Sequence, residues 1–312
     1  MTMSFNNNKM CPVRALLAIL IVLGHFSFFD VTWLMPMRFF APISVAFFLF
    51  ISGFGLTRSV REKGKQYLQT FLPSKLVRIV LPAVLVVLLH LLLCGGSGIG
   101  LSGRLRLVFS CGNTLLPHFW FVWVILFDYL LFYLSFRFLR GTAPRYAILV
   151  GSLALLLATW ASDFDQCWWM CTLAFPAGAF YSDFEESIYS FCSRSERAYG
   201  FALFLLLLIG VGIYLIPFPL TQAVAYGIFP SILALCVARL PIDRWHLPVL
   251  AFIGGISYEL YLIHITMMSF FRGDTIRIDS DIIYVLSVLA LSIGVAWLLH
   301  LICTPFLRVI RK

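Results

Sequence analysis

Long apolar stretches with few charges recur along the whole chain and are separated by short polar segments. A helix needs about 20 apolar residues to cross a bilayer, and the stretches predict ten such spans. The predicted spans are residues 12–29, 39–57, 76–94, 118–139, 145–162, 167–182, 199–216, 221–239, 250–271 and 282–303. Segment 201–211 is apolar at every position, whereas strands of a membrane barrel alternate polar and apolar residues. The pattern therefore predicts an all-α, polytopic membrane protein.

Composition supports this class, and the distribution of charge indicates how the chain is oriented in the membrane. Hydrophobic residues make up 61% of the chain and charged residues 12%, which is far from the composition of a soluble domain. Of the 23 lysines and arginines, 18 fall on the side of the spans that holds the N-terminus. Because basic loops mark the cytoplasmic side, both termini are predicted to be cytoplasmic. The net charge of +9 reflects this asymmetry, so nucleic acid is not an expected partner.

No composition shift, low-complexity tail or internal repeat interrupts the pattern. We therefore expect one membrane domain over residues 1–312, with no soluble domain attached. The eight cysteines show no spacing typical of zinc ligands, so no metal is expected. The cytoplasmic loop over residues 58–74 is basic. It is interpreted either as a topology signal that contacts anionic lipid or as a collector of an anionic cytosolic ligand.

The first predicted span contains two ionisable side chains, Arg14 and His25. Ionisable groups are costly inside a membrane and indicate function by default. The two residues are eleven positions apart. They therefore lie about 20° apart around a helix and roughly 16 Å apart along it. This shared face predicts a lined passage, with Arg14 near its entrance and His25 deep inside.

Five fragments follow one another along the chain: RALLAILIVLGH, FFLFISGFGL, PSKLVRIVLP, PHFWFVW and GGISYELYLIH. Together they resemble the acyltransferase family 3 integral-membrane proteins over nearly the whole chain. The resemblance implies transfer of an acyl group, usually acetyl, from cytosolic acyl-coenzyme A to a hydroxyl of a carbohydrate or lipid-linked sugar outside the membrane. It also implies a multi-pass protein of a bacterial inner or plasma membrane. The expected partners are the acyl-coenzyme A donor, the extracytoplasmic glycan acceptor and membrane lipids, with no permanently bound cofactor.

The resemblance also carries over individual residues. The family's arginine and histidine of the first span fall on Arg14 and His25, and its basic pair at the third span falls on Lys75 and Arg78. Coenzyme A is a polyanion, so Arg14, Lys75 and Arg78 are expected to contact its phosphates. Arg14 could instead reach lipid phosphate. Lys75 stands where the family usually has arginine, and a lysine offers a point charge in place of a planar fork.

His25 is the candidate general base. An imidazole deep in a span is easier to keep uncharged, and an uncharged imidazole can accept a proton from an attacking hydroxyl. Two other roles for His25 fit the same sequence. His25 could form an interhelical hydrogen bond that only holds the bundle together, or it could carry the acyl group itself as a transient intermediate.

In the ninth predicted span, Ser257, Tyr261 and His264 recur at i, i+4 and i+7, which places them on one helix stripe that is expected to face the bundle interior. His264 could assist the acceptor hydroxyl or the leaving thiolate, or it could belong to a structural stripe of hydrogen bonds. Glu259 points elsewhere, about 200° from Tyr261. A buried carboxylate needs a partner, and Arg78 is the expected one.

Further side chains have two interpretations each. Asp128, Trp120 and His118, in the fourth predicted span, suggest an outer-facing mouth where an aromatic side chain stacks on a sugar ring, although a tryptophan at a membrane interface also serves as an anchor. Ser52, beside Gly53, indicates close helix packing or a serine nucleophile.

The rival function for the whole chain is a transporter or flippase of a glycan intermediate or small metabolite, which would use the same polar passage.

Overall fold

The computed structural model of the chain describes residues 3, 7–94, 116, 118–242, 247–273 and 276–310. These residues form eleven α-helices, and no β-strand is found among them. The helices are α1 (Asn7–His25), α2 (Phe40–Lys63), α3 (Phe71–Cys94), α4 (Trp120–Phe138), α5 (Ala143–Ala161), α6 (Ala174–Cys192), α7 (Glu196–Tyr214), α8 (Pro219–Arg239), α9 (Pro248–Gly255), α10 (Ser257–Phe271) and α11 (Asp281–Ile310). The all-α class predicted from the apolar pattern is confirmed.

Ten membrane spans were predicted, and the described helices supply eight, or nine if the bent pair α9 and α10 is one span. The prediction over 167–182 was wrong. Residues Gln166–Trp168 form a 3-10 turn, and α6 begins only at Ala174 and carries Asp183, Glu185 and Glu186. Three carboxylates in one helix are costly in hydrocarbon. The side of the membrane that the termini face stays a prediction.

The ninth predicted span, 250–271, is two helices rather than one. The axes of α9 and α10 differ by 76° at the break between them. Gly254 lies directly against α1, where an added Cβ would overlap the carbonyl oxygen of Cys11. Only a residue without a side chain permits this approach of two backbones. The backbones of α1 and of the last turn of α9 therefore pack directly against each other, just before the break.

The chain divides into two compact units. The first unit comprises Met1–Met10, Pro42–Gln69 and Phe127–His246. Within it α2 and α6 pack through two glycines, because a Cβ at Gly53 would overlap the carbonyl oxygen of Phe175 and a Cβ at Gly178 would overlap that of Phe50. The close packing expected beside Ser52 is therefore confirmed.

The second unit comprises Cys11–Ala41, Thr70–Leu126 and Leu247–Lys312. Contacts along α10 give the direction of α3. The Tyr258 hydroxyl donates a hydrogen bond to the Ile79 carbonyl oxygen at 2.9 Å, and farther along both helices His90 Nδ1 lies 3.3 Å from Thr266 Oγ1. The two helices therefore run the same way.

The helix α1 also runs parallel to α10, since Cys11 contacts Gly254 and the ring of His25 contacts the ring of His264. The helix α11 runs the opposite way. Its Tyr284, near the first turn, donates a hydrogen bond to the carbonyl oxygen at the far end of α10. It follows that α1, α3 and α10 begin at the same end of the second unit.

Replacing Gly53 with alanine tests the packing of α2 on α6. The added methyl would overlap the Phe175 carbonyl oxygen, so the backbones must separate, and we expect the free energy of unfolding to fall by about 1–3 kcal/mol, as overpacking does. Gly55→Ala is the matched control, because a Cβ at Gly55 meets nothing within 4 Å. Thermal denaturation in detergent measures both variants, and equal midpoints would contradict the close contact.

Candidate active site

His25 is the last residue of α1, and its ring is oriented by its own helix. Its Nδ1 lies 2.7 Å from the Ile21 carbonyl oxygen. Because a carbonyl oxygen only accepts hydrogen bonds, Nδ1 carries the hydrogen and Nε2 keeps a lone pair. The residue is only partly buried. His25 therefore combines a fixed ring, an unprotonated Nε2 and partial access from outside the protein interior.

His264 lies behind His25 on α10. The two ring centroids are 4.9 Å apart, with the rings edge to face. His264 Nδ1 donates to the Tyr261 carbonyl oxygen at 2.6 Å, which again leaves the lone pair on Nε2. Unlike His25, His264 is fully buried. An accessible imidazole is thus backed by an inaccessible one.

A third imidazole, that of His118, completes the group. Its ring centroid is 5.2 Å from that of His264, its Nε2 donates to the Leu262 carbonyl oxygen at 2.9 Å, and its own carbonyl accepts a hydrogen bond from the Tyr261 hydroxyl. We call His25, His118 and His264 the histidine cluster. Among the described residues, His118 Nδ1 and His264 Nε2 are buried without a hydrogen-bond partner. The cluster can accept protons, because each ring keeps one lone pair.

The position of His118 differs from the one predicted. The sequence suggested an outer mouth shared with Trp120, but His118 is buried against α10, while Trp120 begins α4 and is partly exposed. The physical reason is the hydrogen bond from His118 to the Leu262 carbonyl oxygen of α10.

The polar residues predicted on one stripe of α10 are all buried: Ser257, Tyr261 and His264. Ser257 donates a hydrogen bond to the Gly254 carbonyl oxygen at 3.0 Å.

Glu259 has a different partner from the one expected. Its carboxylate oxygen lies 3.0 Å from Nδ1 of His300 on α11, and not against Arg78 as the sequence suggested. Arg78 is exposed, and the residue after it, Ile79, contacts Tyr258 on the neighbouring face of α10. The expectation was wrong because helical spacing gives the direction of Glu259 but not the identity of the helix that packs there.

The three basic residues assigned to the donor lie toward one end of the second unit. Arg14 is three residues after Cys11, which contacts Gly254 in the last turn of α9, just before α10 begins. Lys75 and Arg78 are in the first turns of α3, and the ammonium of Lys75 lies 5.8 Å from the centroid of the Phe71 ring. Since α1, α3 and α10 begin at the same end, the three cations are grouped there. Their contact with phosphate stays a prediction.

Other basic residues belong to the first unit. Arg58 and Arg61 were predicted in a loop but lie in the last turns of α2, 3.7 and 3.8 Å from the carboxylate of Glu185 on α6. Burial raises the pKa of Glu185, and the two guanidinium groups oppose that shift. The end of α2 is therefore anchored to α6 through a buried carboxylate. Ser52, the alternative nucleophile, is also in the first unit and is half-buried beside Gly53.

Sequence reasoning missed one cation near the cluster. Arg38, in the 3-10 turn Thr32–Phe39, lies 4.7 Å from the centroid of the Phe28 ring, and that ring is 5.9 Å from the ring of His25. The only sequence signal was a lone arginine in a segment predicted to lie outside the membrane.

No group of three or more His, Cys, Asp or Glu side chains arranged for a metal is found in the described part of the chain.

Diethyl pyrocarbonate labelling tests the difference in accessibility between His25 and the other two histidines of the cluster. The reagent attacks an unprotonated imidazole nitrogen, so we expect His25 to be modified well before His118 and His264, which are 2% and 0% exposed. Peptide mass spectrometry of the protein in lipid vesicles follows each residue, and unfolded protein, in which all three react, provides the control. Labelling of His264 as fast as that of His25 would contradict the arrangement.

Comparison with known proteins agrees with the resemblance drawn from the fragments. The family model described as an acyltransferase domain, acyltransferase 3, matches residues 13–301, a range that contains the whole histidine cluster and the three basic residues at its end of the second unit. A search of curated proteins and a search of solved structures each gave no match. The match covers nearly the whole chain, and the chain belongs to the acyltransferase 3 family of membrane acyltransferases.

Proposed function

We propose that the chain is an O-acyltransferase that takes an acyl group, in the simplest case acetyl, from cytosolic acyl-coenzyme A and transfers it to a hydroxyl of an extracytoplasmic carbohydrate or lipid-linked glycan. The observation that carries the proposal is His25, a partly accessible imidazole whose Nδ1–H is held by the Ile21 carbonyl oxygen at 2.7 Å. Its Nε2 is therefore the nitrogen that accepts a proton.

The reaction needs one proton to move twice. The acceptor hydroxyl oxygen attacks the thioester carbon as His25 Nε2 takes the hydroxyl proton, so an oxygen–carbon bond forms and the carbon–sulfur bond breaks. His25 then gives the proton to the thiolate sulfur, which leaves as the coenzyme A thiol. The products are an ester and a free thiol, and His25 returns to its starting state.

Two features near His25 act on the charge that forms in this step, and they act in opposite directions. His25 ends α1, where the helix dipole is negative and stabilises a cation. The guanidinium of Arg38 lies beside the Phe28 ring, which itself packs near the ring of His25, and a nearby positive charge opposes a second one. Such opposing effects suit a base that must release its proton again.

The donor is expected at the end of the second unit where α1, α3 and α10 begin. Arg14, Lys75 and Arg78 supply cations there, and coenzyme A carries its phosphates far from its reactive sulfur on a flexible arm. Arg14 and His25 share a face of α1 and are roughly 16 Å apart. That separation supports phosphates at Arg14 with the thioester at His25.

His25→Ala is expected to lower acyl transfer by about 100-fold or more, the usual contribution of a general base. Acetyl-coenzyme A with a radiolabelled acetyl group is added to membrane vesicles that contain the protein, and label in the glycan and lipid fractions is counted together with the free thiol. His90→Gln is the matched control, a half-buried histidine of the same unit outside the cluster. Wild-type transfer by His25→Ala would remove the base, and no thiol release by the wild type would favour a transporter.

Arg14→Gln is expected to raise the KM for acetyl-coenzyme A by about tenfold, since one charge-assisted contact to phosphate is lost, with little change in kcat. S-acetylpantetheine, which has the reactive arm but no nucleotide phosphates, is expected to react equally well with both proteins. Arg137→Gln, an exposed arginine of the first unit, serves as the charge control. Equal KM values for acetyl-coenzyme A in wild type and Arg14→Gln would contradict the donor assignment.

A further inference from the structure

The guanidinium of Arg272 joins three segments of the second unit at the end opposite to the basic residues. Arg272 directly follows α10. One of its terminal nitrogens donates to the Phe29 carbonyl oxygen, at the end of the 3-10 turn that extends α1. The other donates to the carboxylate of Asp281, the first residue of α11. The side chains of Arg272 and Asp281 are 15% and 35% exposed, so the guanidinium is largely buried and the carboxylate partly so.

The same guanidinium rests on a rigid aromatic surface. It lies 4.2 Å from the centroid of the Tyr284 ring, and Tyr284 is fully buried. The Tyr284 hydroxyl donates to the Met268 carbonyl oxygen at 3.1 Å, and the ring packs edge-on against Phe26 at 5.4 Å. A planar guanidinium can stack on a ring while its rigid fork directs two hydrogen bonds, whereas a lysine ammonium has neither a planar face nor a fork.

These contacts act on the two helices that carry the facing histidines. Phe29 is four residues beyond His25, and Arg272 is eight residues beyond His264. Toward the start of α1, Cys11 lies against Gly254 of α9, three residues before α10 begins. The α1 segment is therefore held on both sides of the contact between His25 and His264.

We infer that Arg272 is a positioning residue for acyl transfer, which holds the end of α1 against α10 so that the ring of His25 stays on the ring of His264. Its effect on rate rests on the proposed function, while its effect on the shielding of His264 does not. Without the guanidinium, the Phe29 carbonyl and the Asp281 carboxylate lose a shared donor, and the end of α1 separates from α10. Small displacements of a reacting group cost up to about 100-fold in rate.

Arg272→Gln is compared with Arg277→Gln, a matched control from the same loop. Arg277 pairs with Asp279 at 3.4 Å, but these side chains are 83% and 90% exposed, and such surface pairs contribute little. In diethyl pyrocarbonate labelling we expect Arg272→Gln to speed the modification of His264 by about tenfold or more, because local opening becomes easier. Arg277→Gln is expected to label like the wild type. His264 that stays as protected in Arg272→Gln as in the wild type overturns the inference.

Kinetics separate positioning from a loss of folded protein. For Arg272→Gln we expect kcat with acetyl-coenzyme A to fall by about tenfold to 100-fold, while KM for this donor stays within about twofold because the phosphate contacts lie at the other end. Arg272→Lys is expected to recover little of kcat, since it keeps the charge and loses the fork. Full recovery by lysine, or a KM effect without a kcat effect, contradicts the positioning role.

A second variant keeps the test decisive if Arg272→Gln does not fold. Asp281→Asn removes the carboxylate that fixes the guanidinium of Arg272 while it donates to the Phe29 carbonyl oxygen. The contact to Phe29 then becomes looser, so we expect faster labelling of His264 than in the wild type. Unchanged labelling in Asp281→Asn overturns the inference in that case. If the wild type transfers no acetyl group, the proposed function fails, and the labelling of His264 still decides whether Arg272 holds the two helices together.

Discussion

The contact between the backbone of α1 and the segment that contains Gly254 is the constraint on which the rest of the candidate site depends. Where Gly254 meets Cys11, no side chain separates the two backbones, so α1 and the last turn of α9 have one close arrangement just before α10 begins. From this contact α1 runs parallel to α10, and their rings meet at 4.9 Å between His25 and His264. A bulkier residue at Gly254 would separate the helices and with them the two imidazoles.

The sequence predicted the class of fold and most of the spans correctly. The length of an apolar stretch can be read from the local sequence alone, so eight of the ten predicted spans match long apolar helices, and Arg14 and His25 lie on one helix, α1. Two consecutive glycines, Gly254 and Gly255, could have indicated the break in the ninth predicted span, but they lie within a long apolar segment. The wrong prediction at 167–182 has a physical reason as well, because the apolar stretch there is divided between a 3-10 turn and a helix with three carboxylates.

The partners of the site residues could not be predicted in the same way. Spacing showed that Tyr261 and His264 share a stripe, but His118 joins them through the carbonyl oxygen of Leu262, an acceptor that every residue has and that no motif marks. Likewise His300, rather than Arg78, faces Glu259 because α11 packs on that side of α10. Which helix lies beside which is decided by packing over the whole unit, and a single sequence gives no direct measure of that packing.

The proposed proton transfer depends most on the state of one ring, a His25 imidazole with its hydrogen on Nδ1 and its lone pair on Nε2. Nuclear magnetic resonance of the protein in lipid bilayers, with nitrogen-15 in the histidine rings and His25 assigned by comparison with a His25→Gln sample, measures this directly. We expect the Nδ1–H tautomer for His25 and a shift of its Nε2 resonance when acetyl-coenzyme A is added. A hydrogen on Nε2, or a resonance that does not respond to the donor, would contradict the role of His25 as the base.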